Sequence, residues 1–205
     1  MNILHIDCSV RDERSVSKHL SALFVSQLTD KFDHAVIEYL DLSANTPTHP
    51  TALFIKGNYT SPAERTEEMV RELAESEVLI EQLHRADVYI IGMPMYNFSI
   101  PSNFKAFIDN VVRIGRTFMP TETGFHGLLN NKKVFVINTR GVDFSSEPVR
   151  SMDQLQPYLK TVFGFMGLND ITFINVHPVK WGSEEVLAKA FAKAKDEIVA
   201  AVNNL

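Results

Sequence analysis

DVYIIG, residues Asp87–Gly92, is the stretch on which the architecture turns. Val88, Tyr89, Ile90 and Ile91 follow one another with no polar residue between them. A strand with one wet face alternates apolar and polar residues, whereas a strand covered on both faces is apolar throughout. The run is therefore predicted to be a central strand with helices on either side. The flanking segments agree. Before it, Glu64–His84 places Met69, Leu73, Leu79, Ile80 and Leu83 at helical spacing, with a drift that predicts a kink, and Pro62 suits a helix start. After it, Ser102–Arg113 repeats the pattern with Phe104, Phe107, Ile108, Val111 and Val112.

The same alternation extends to both ends of the chain. Strands are predicted at Asn2–Asp7, Ala35–Leu40, Lys133–Asn138 (KVFVIN) and Ile171–Val176. Helices are predicted at Val16–Phe32, at Met152–Met166 with a break near Pro157 and Gly164, and at Ser183–Val202 with Ser183 as N-cap. Strands alternating with helices give an α/β protein with a parallel sheet and right-handed crossovers. Five strands suit the order 2-1-3-4-5. Asp41–Ser61, with Pro47, Pro50 and Gly57, reads as a long irregular connection, a feature that is often functional. No repeat, low-complexity tract or linker divides the 205 residues, so residues 1–205 are expected to form one domain.

Composition narrows the function. A hydrophobic fraction of 45%, a charged fraction of 22% and a net charge of −5 describe an ordinary globular chain. No basic cluster offers a nucleic-acid face. The seven histidines show no metal-ligand spacing, so no metal is expected. Cys8 stands alone, excludes an intrachain disulfide and reads as a small packing residue. No charged segment followed by an apolar run opens the chain, and no apolar run reaches the roughly 20 residues that span a bilayer. A cytoplasmic protein without membrane partners is expected.

In an open parallel sheet, ligands bind beyond the carboxyl ends of the strands near the point where the strand order reverses. That rule selects three loops. The first, SVRDERSVS (Ser9–Ser17), leads into a helix whose free N–H groups and positive dipole end suit a phosphate, with Ser9, Ser15 and Ser17 adding hydroxyls. It lacks the glycine patterns of a Rossmann dinucleotide site and of a P-loop. Ser15 equally serves as a plain helix cap. The second loop, PMYNFSIP (Pro94–Pro101), sets Met95, Tyr96, Phe98 and Ile100 around Asn97 and Ser99. These apolar side chains either cover a flat heteroaromatic ring or dip into the core. The third, Thr139–Ser146, carries Arg140 and Gly141. Arg140 faces a ligand's partial negative charge or is a solvated surface arginine, and both readings stand.

SVS at the first helix, PMYNFSIPSNFKAFIDNVVRIGRTF in the middle, KKVFVINTRG at the fourth strand and YLKTVFGFMG beyond it are carried in order along nearly the whole chain. This set resembles the FMN-dependent NADH:quinone and azo-compound reductases of bacteria, with PMYNF through GRTF its most specific part. The resemblance implies a flavodoxin-like three-layer sandwich and a homodimer with an FMN at each of two interfacial sites. It implies that Ser9, Ser15, Val16 and Ser17 hold the FMN phosphate and nearby atoms. Met95, Tyr96, Asn97 and Phe98 would border the isoalloxazine ring, and Thr139, Arg140, Gly141 and Val142 would line its far edge. Two departures stand out: Val142 replaces a second glycine common in the family, and Met119–Pro120 stand where an aromatic is common.

No side chain then needs to act as nucleophile or general base, because a flavin carries the redox chemistry. NADH or NADPH would reduce it, and a quinone or azo compound would take the same face afterwards, giving ping-pong kinetics. Phe98, Phe118 and Phe163 are the candidates for keeping that face dry, with core packing the plainer reading for Phe163. Two rivals remain on sequence grounds. One is a flavodoxin-type electron carrier without a small-molecule substrate, against which the mild charge and the apolar second loop weigh. The other is a flavin-free signalling or scaffold domain, which the fold alone does not exclude.

Overall fold

A computed structural model of the chain describes residues 1–11 and 14–205. Five parallel strands form the central sheet: β1 (Asn2–Asp7), β2 (Val36–Asp41), β3 (Val88–Pro94), β6 (Lys133–Thr139) and β7 (Asp170–Val176). Their order is β2-β1-β3-β6-β7, which is 2-1-3-4-5 counted along this sheet, as the sequence predicts. All four pairings are parallel and in continuous register, for example Ile6↔Ile91 and Gly92↔Ile137.

Alternation along the strands builds two cores. Ile3, Val88, Ile90, Phe135 and Ile137 point to one face, where Leu20, Phe24 and Leu28 of α1 (Val16–Lys31) meet Ala194 and Ile198 of α6 (Glu184–Asn203). Leu4, Ile6, Tyr89, Ile91 and Val136 point to the other face. It is covered by α3 (Glu67–Arg85), α4 (Ser102–Val111) and α5 (Leu155–Met166). The continuous burial of β3 confirms the doubly covered central strand.

Three local expectations are corrected. The stretch Asp41–Ser61 is not wholly irregular: it contains α2 (Ala52–Tyr59), capped by the Thr51 hydroxyl accepting from the Phe54 N–H. Tertiary packing makes this short helix, since Phe54 is buried and the bare Cα of Gly57 lets it lie close against Leu73 and Met69. Pro62 opens a separate turn, and α3 starts at Glu67 behind the Thr66 cap and runs unbroken to Arg85. Pro157 does not break α5, because it falls in the first turn, where no helical N–H bond is lost; Gly164 is carried within the helix. A hairpin that the sequence did not announce, β4 (Phe118–Thr121) with β5 (Gly124–Gly127), projects beyond α4.

Candidate active site

The carboxyl ends of β1, β3 and β6 deliver the three selected loops to one cavity of about 420 Å³. That size suits a small organic ligand. Hydrogen bonds tie the loops together. The Met95 N–H donates to the Thr139 carbonyl at 2.8 Å, and the Asn103 amide of α4 donates to the Cys8 carbonyl at 3.0 Å. Ser9 Oγ lies 3.4 Å from the Tyr96 hydroxyl. Gly92 leaves room for the Asp7 carboxylate and for α1 above it: a Cβ there would stand 2.1 Å from Asp7 Oδ1 and 2.9 Å from Ser21 Oγ.

At one end of the cavity α1 begins. Ser9, Arg11, Ser15 and Val16 line this end, and no acidic residue sits in the first turn of α1 to offset its positive dipole. Ser15 Oγ accepts a long bond of 3.4 Å from the Lys18 N–H and lies 3.2 Å from Ser17 Oγ. It is thus a cap and a cavity residue at once. Ser17 is buried behind Ser15 and is not part of the cavity lining. Asp12 and Glu13 of this loop lie outside the described residues.

The flat walls come from the second and third loops. Met95, Tyr96, Asn97 and Phe98 line the cavity from one side and Thr139, Gly141 and Val142 from another. Asn97 and Phe98 have φ of 48° and 71°, and Tyr96 and Ser99 exchange two backbone hydrogen bonds of 3.0 Å around them. This is a two-residue turn of the kind that requires both central residues to be left-handed. It holds the Phe98 ring out of the core, 45% exposed, at the cavity. The second loop therefore does not dip inward at Phe98.

Arg140 is not a solvated surface arginine. Its side chain is 4% exposed, pairs with Asp153 at 2.7 Å and stacks 5.1 Å from the Phe144 ring centroid. Burial lowers the guanidinium pKa, and Asp153 opposes that shift. Arg140 is a strut within the loop wall. Phe163 belongs to the core, edge-on to Phe104. Phe118 packs on Phe125 and Phe165 at the hairpin. Neither phenylalanine lines the cavity.

Three further lining residues, Arg11, Pro94 and Phe144, belong to the selected loops without being singled out there, and three more, Val179, Lys180 and Trp181, lie outside all three loops. The last three lie beyond β7, whose carboxyl end opens on the same edge of the sheet. The signal was present in VKWG (Val179–Gly182), which holds the chain's one tryptophan. Among the described residues, the only charged side chains lining the cavity are the cationic Arg11 and Lys180. Cys8 is no nucleophile: burial foremost, and then Asp7, pushes its thiol well up. Also among the described residues, no cluster of His, Cys, Asp and Glu is placed to hold a metal, and no helix is long and apolar enough to cross a membrane.

The shape and lining of the cavity suit a flat ring with an anionic tail, and it lies where doubly wound sheets bind their ligands. The chain belongs to the family described as Flavodoxin-like fold, whose model matches residues 1–202. It is similar to FMN-dependent NADH:quinone oxidoreductase 2 of Trichormus variabilis, with 40% identity over 205 residues and 99% of each chain covered. It is 42% identical over 201 residues to the FMN-dependent NADH:quinone oxidoreductase of Nostoc punctiforme, covering 97% of this chain and 98% of that one. Among solved structures, an azoreductase from Bacillus anthracis superposes with a TM-score of 0.91 at 22% identity, covering 100% of both chains. At that identity the superposition speaks for the fold.

Proposed function

We propose that this protein is an FMN-dependent oxidoreductase that takes electrons from NADH, or NADPH, and passes them to quinones and azo compounds. One domain, residues 1–205, carries the activity in this reading. The observation that carries it is the pairing of the α1 N-terminus, with Ser9, Arg11 and Ser15 lining the cavity there, with the flat apolar wall of Met95, Phe98 and Val142. The full-length similarity to FMN-dependent NADH:quinone oxidoreductases supports it.

The residues present fit FMN. Its terminal phosphate needs N–H and O–H donors and positive potential, and the start of α1 offers both. Its ring needs flat apolar contact, which the second and third loops supply. When bound, FMN supplies the two-electron redox chemistry. Ser9, Ser15 and Val16 would hold the phosphate end, with Ser17 acting through Ser15. Met95, Tyr96, Asn97 and Phe98 would border the ring, and Thr139, Gly141 and Val142 its far edge. Arg140 would act indirectly, by holding the third loop against Asp153. Donor and acceptor would then take turns at the ring, with ping-pong kinetics.

Two further parts of the reading are a homodimer and a cytoplasmic location. The hairpin supports the first, since it exposes Met119 and Phe125 beside Phe118 and Phe165, an aromatic group that a second copy would cover. Phe118 would then serve the partner's cavity rather than its own. Reliance on a nicotinamide donor supports the second.

The test is direct. The purified protein is expected to be yellow, to release FMN on denaturation as identified by mass, and to oxidise NADH when menadione or an azo dye is added. Release of FAD, or failure to bind FMN on reconstitution, defeats the reading. Light scattering across a concentration series tests the dimer.

A further inference from the structure

Trp181 is 61% exposed, yet its position is closely defined. Its backbone N–H donates to the Gly141 carbonyl at 3.1 Å, the Lys180 backbone N–H donates to the same carbonyl at 3.3 Å, and the Val179 backbone N–H donates to the Arg140 carbonyl at 2.9 Å. The segment after β7 is thereby laced to the third loop. The indole rests on Gly141, where a Cβ would stand 2.6 Å from Cζ3 of Trp181. Lys180 Nζ lies 4.5 Å from the centroid of the Trp181 ring system. Both side chains line the cavity. An indole at a cavity mouth, outside the core, is a surface for aromatic contact, and the ammonium lying over its ring selects for negative charge.

We propose that Trp181 and Lys180 form a rim subsite that recognises a planar aromatic group bearing an anion. The inference rests on the reading of the cavity as the site of electron transfer from a nicotinamide to an acceptor. Two molecules of that reaction have this chemistry: a sulfonated or carboxylated aromatic acceptor, and the adenosine phosphate end of the donor. The α1 end of the cavity has its own donors in Ser9, Ser15 and Arg11, so Lys180 is left for a second anion. No acidic side chain lines the cavity among the described residues to compete for it.

The test uses the oxidised FMN-loaded protein, without donor, and reads the fluorescence of the chain's one tryptophan. Wild type, K180A and K180E are titrated with a sulfonated naphthoquinone and with neutral menadione. The ratio of the two dissociation constants is expected to shift against the sulfonate by about fivefold in K180A, the scale of one exposed ion pair, and further in K180E. In turnover, W181A is expected to lower kcat/KM for the sulfonate by about tenfold, the scale of a lost stacking partner, with W181F restoring most of it. Comparing NADH with reduced nicotinamide mononucleotide, which lacks the adenosine end, separates the sources. A KM rise in K180A confined to NADH assigns the rim to the donor, and a shift confined to the sulfonate assigns it to the acceptor. An unchanged ratio together with unchanged donor discrimination overturns the proposal, as does release of FMN in place of these shifts, which makes the pair a cofactor holder. If the lysine-dependent titration holds but NADH reduces no acceptor, the subsite stands and the proposed reaction falls.

Discussion

The Arg140 guanidinium donates from Nη2 to Asp153 Oδ2 at 2.7 Å, and Asp153 Oδ1 accepts from the Leu155 and Gln156 N–H groups at the start of α5. One carboxylate thus neutralises a buried cation in the cavity wall and caps a helix. Asp153→Ala leaves Arg140 buried without its partner and strips the cap. The expected loss is about 3 kcal/mol or more in denaturant unfolding. Asp153→Asn keeps a capping oxygen and is expected to lose less. Equal losses in the two variants would assign the whole effect to the ion pair.

Ser15→Ala/Ser17→Ala removes both hydroxyls at the start of α1, where Ser15 lines the cavity and Ser17 orients it. FMN affinity is expected to fall by about 1–3 kcal/mol, the worth of hydrogen bonds to a charged group. The lost cap should cost the fold only about 1 kcal/mol. Titration of apoprotein with FMN measures the first effect and thermal unfolding of the apoprotein the second.

The left-handed turn at Asn97–Phe98 predicts two-electron behaviour. The Phe98 carbonyl accepts from the Gln154 N–H at 3.0 Å, which adds a third backbone bond to the pair between Tyr96 and Ser99. A peptide flip of the kind an electron carrier uses to hold a one-electron-reduced flavin would have to break this set. Dithionite titration of the FMN-loaded protein is expected to bleach the yellow colour without building up a blue radical. A blue species as the main intermediate would restore the carrier reading.

The same turn carries strain, because a phenylalanine at φ 71° gives up about 1–2 kcal/mol that glycine does not. Phe98→Gly regains this, less the roughly 0.5–1 kcal/mol of extra freedom in the unfolded chain. The apoprotein is expected to keep or slightly raise its Tm while FMN binds more weakly for want of the ring. A large drop in Tm would show that the Phe98 side chain packs into the fold.

His177 sets a pH dependence. Its Nδ1 lies 2.9 Å from Asp143 Oδ1 and 3.4 Å from the Phe144 N–H, so it donates to the first when protonated and accepts from the second when neutral. Burial foremost, with Arg140 and Lys193, holds its pKa below the ordinary value of 6.5, against the pull of Asp143. The unfolded chain then binds a proton near pH 6.5 that the folded chain refuses, so unfolding is favoured as the pH falls. This contribution to stability is complete above about pH 6.5 and declines as the pH drops through that value toward the lower folded pKa. Thermal unfolding from pH 8 to pH 5 should show the decline, and His177→Gln should flatten it; an unchanged slope would assign the decline to other groups.

The sequence alone determined the sheet and its loops. Burial on both faces of Val88–Ile91 forces apolar residues at every position, so the central strand and its neighbours were legible. A 2-1-3-4-5 order then dictates where loops converge, which places Ser9, Ser15, Met95–Phe98 and Gly141 at one cavity on sequence grounds. Periodicity records that a side is buried, but not by what, and loops have no periodicity at all. Only the tertiary structure turned Arg140 inward, because its partner lies on another element, at Asp153. Only packing against Leu73 and Met69 made a helix of Ala52–Tyr59, and only the core around Phe104 claimed Phe163. Trp181 reached the cavity by backbone bonds to Gly141, forty residues earlier in the chain. Each of these outcomes depends on a contact between residues distant in sequence, and no local pattern of residues encodes such a contact.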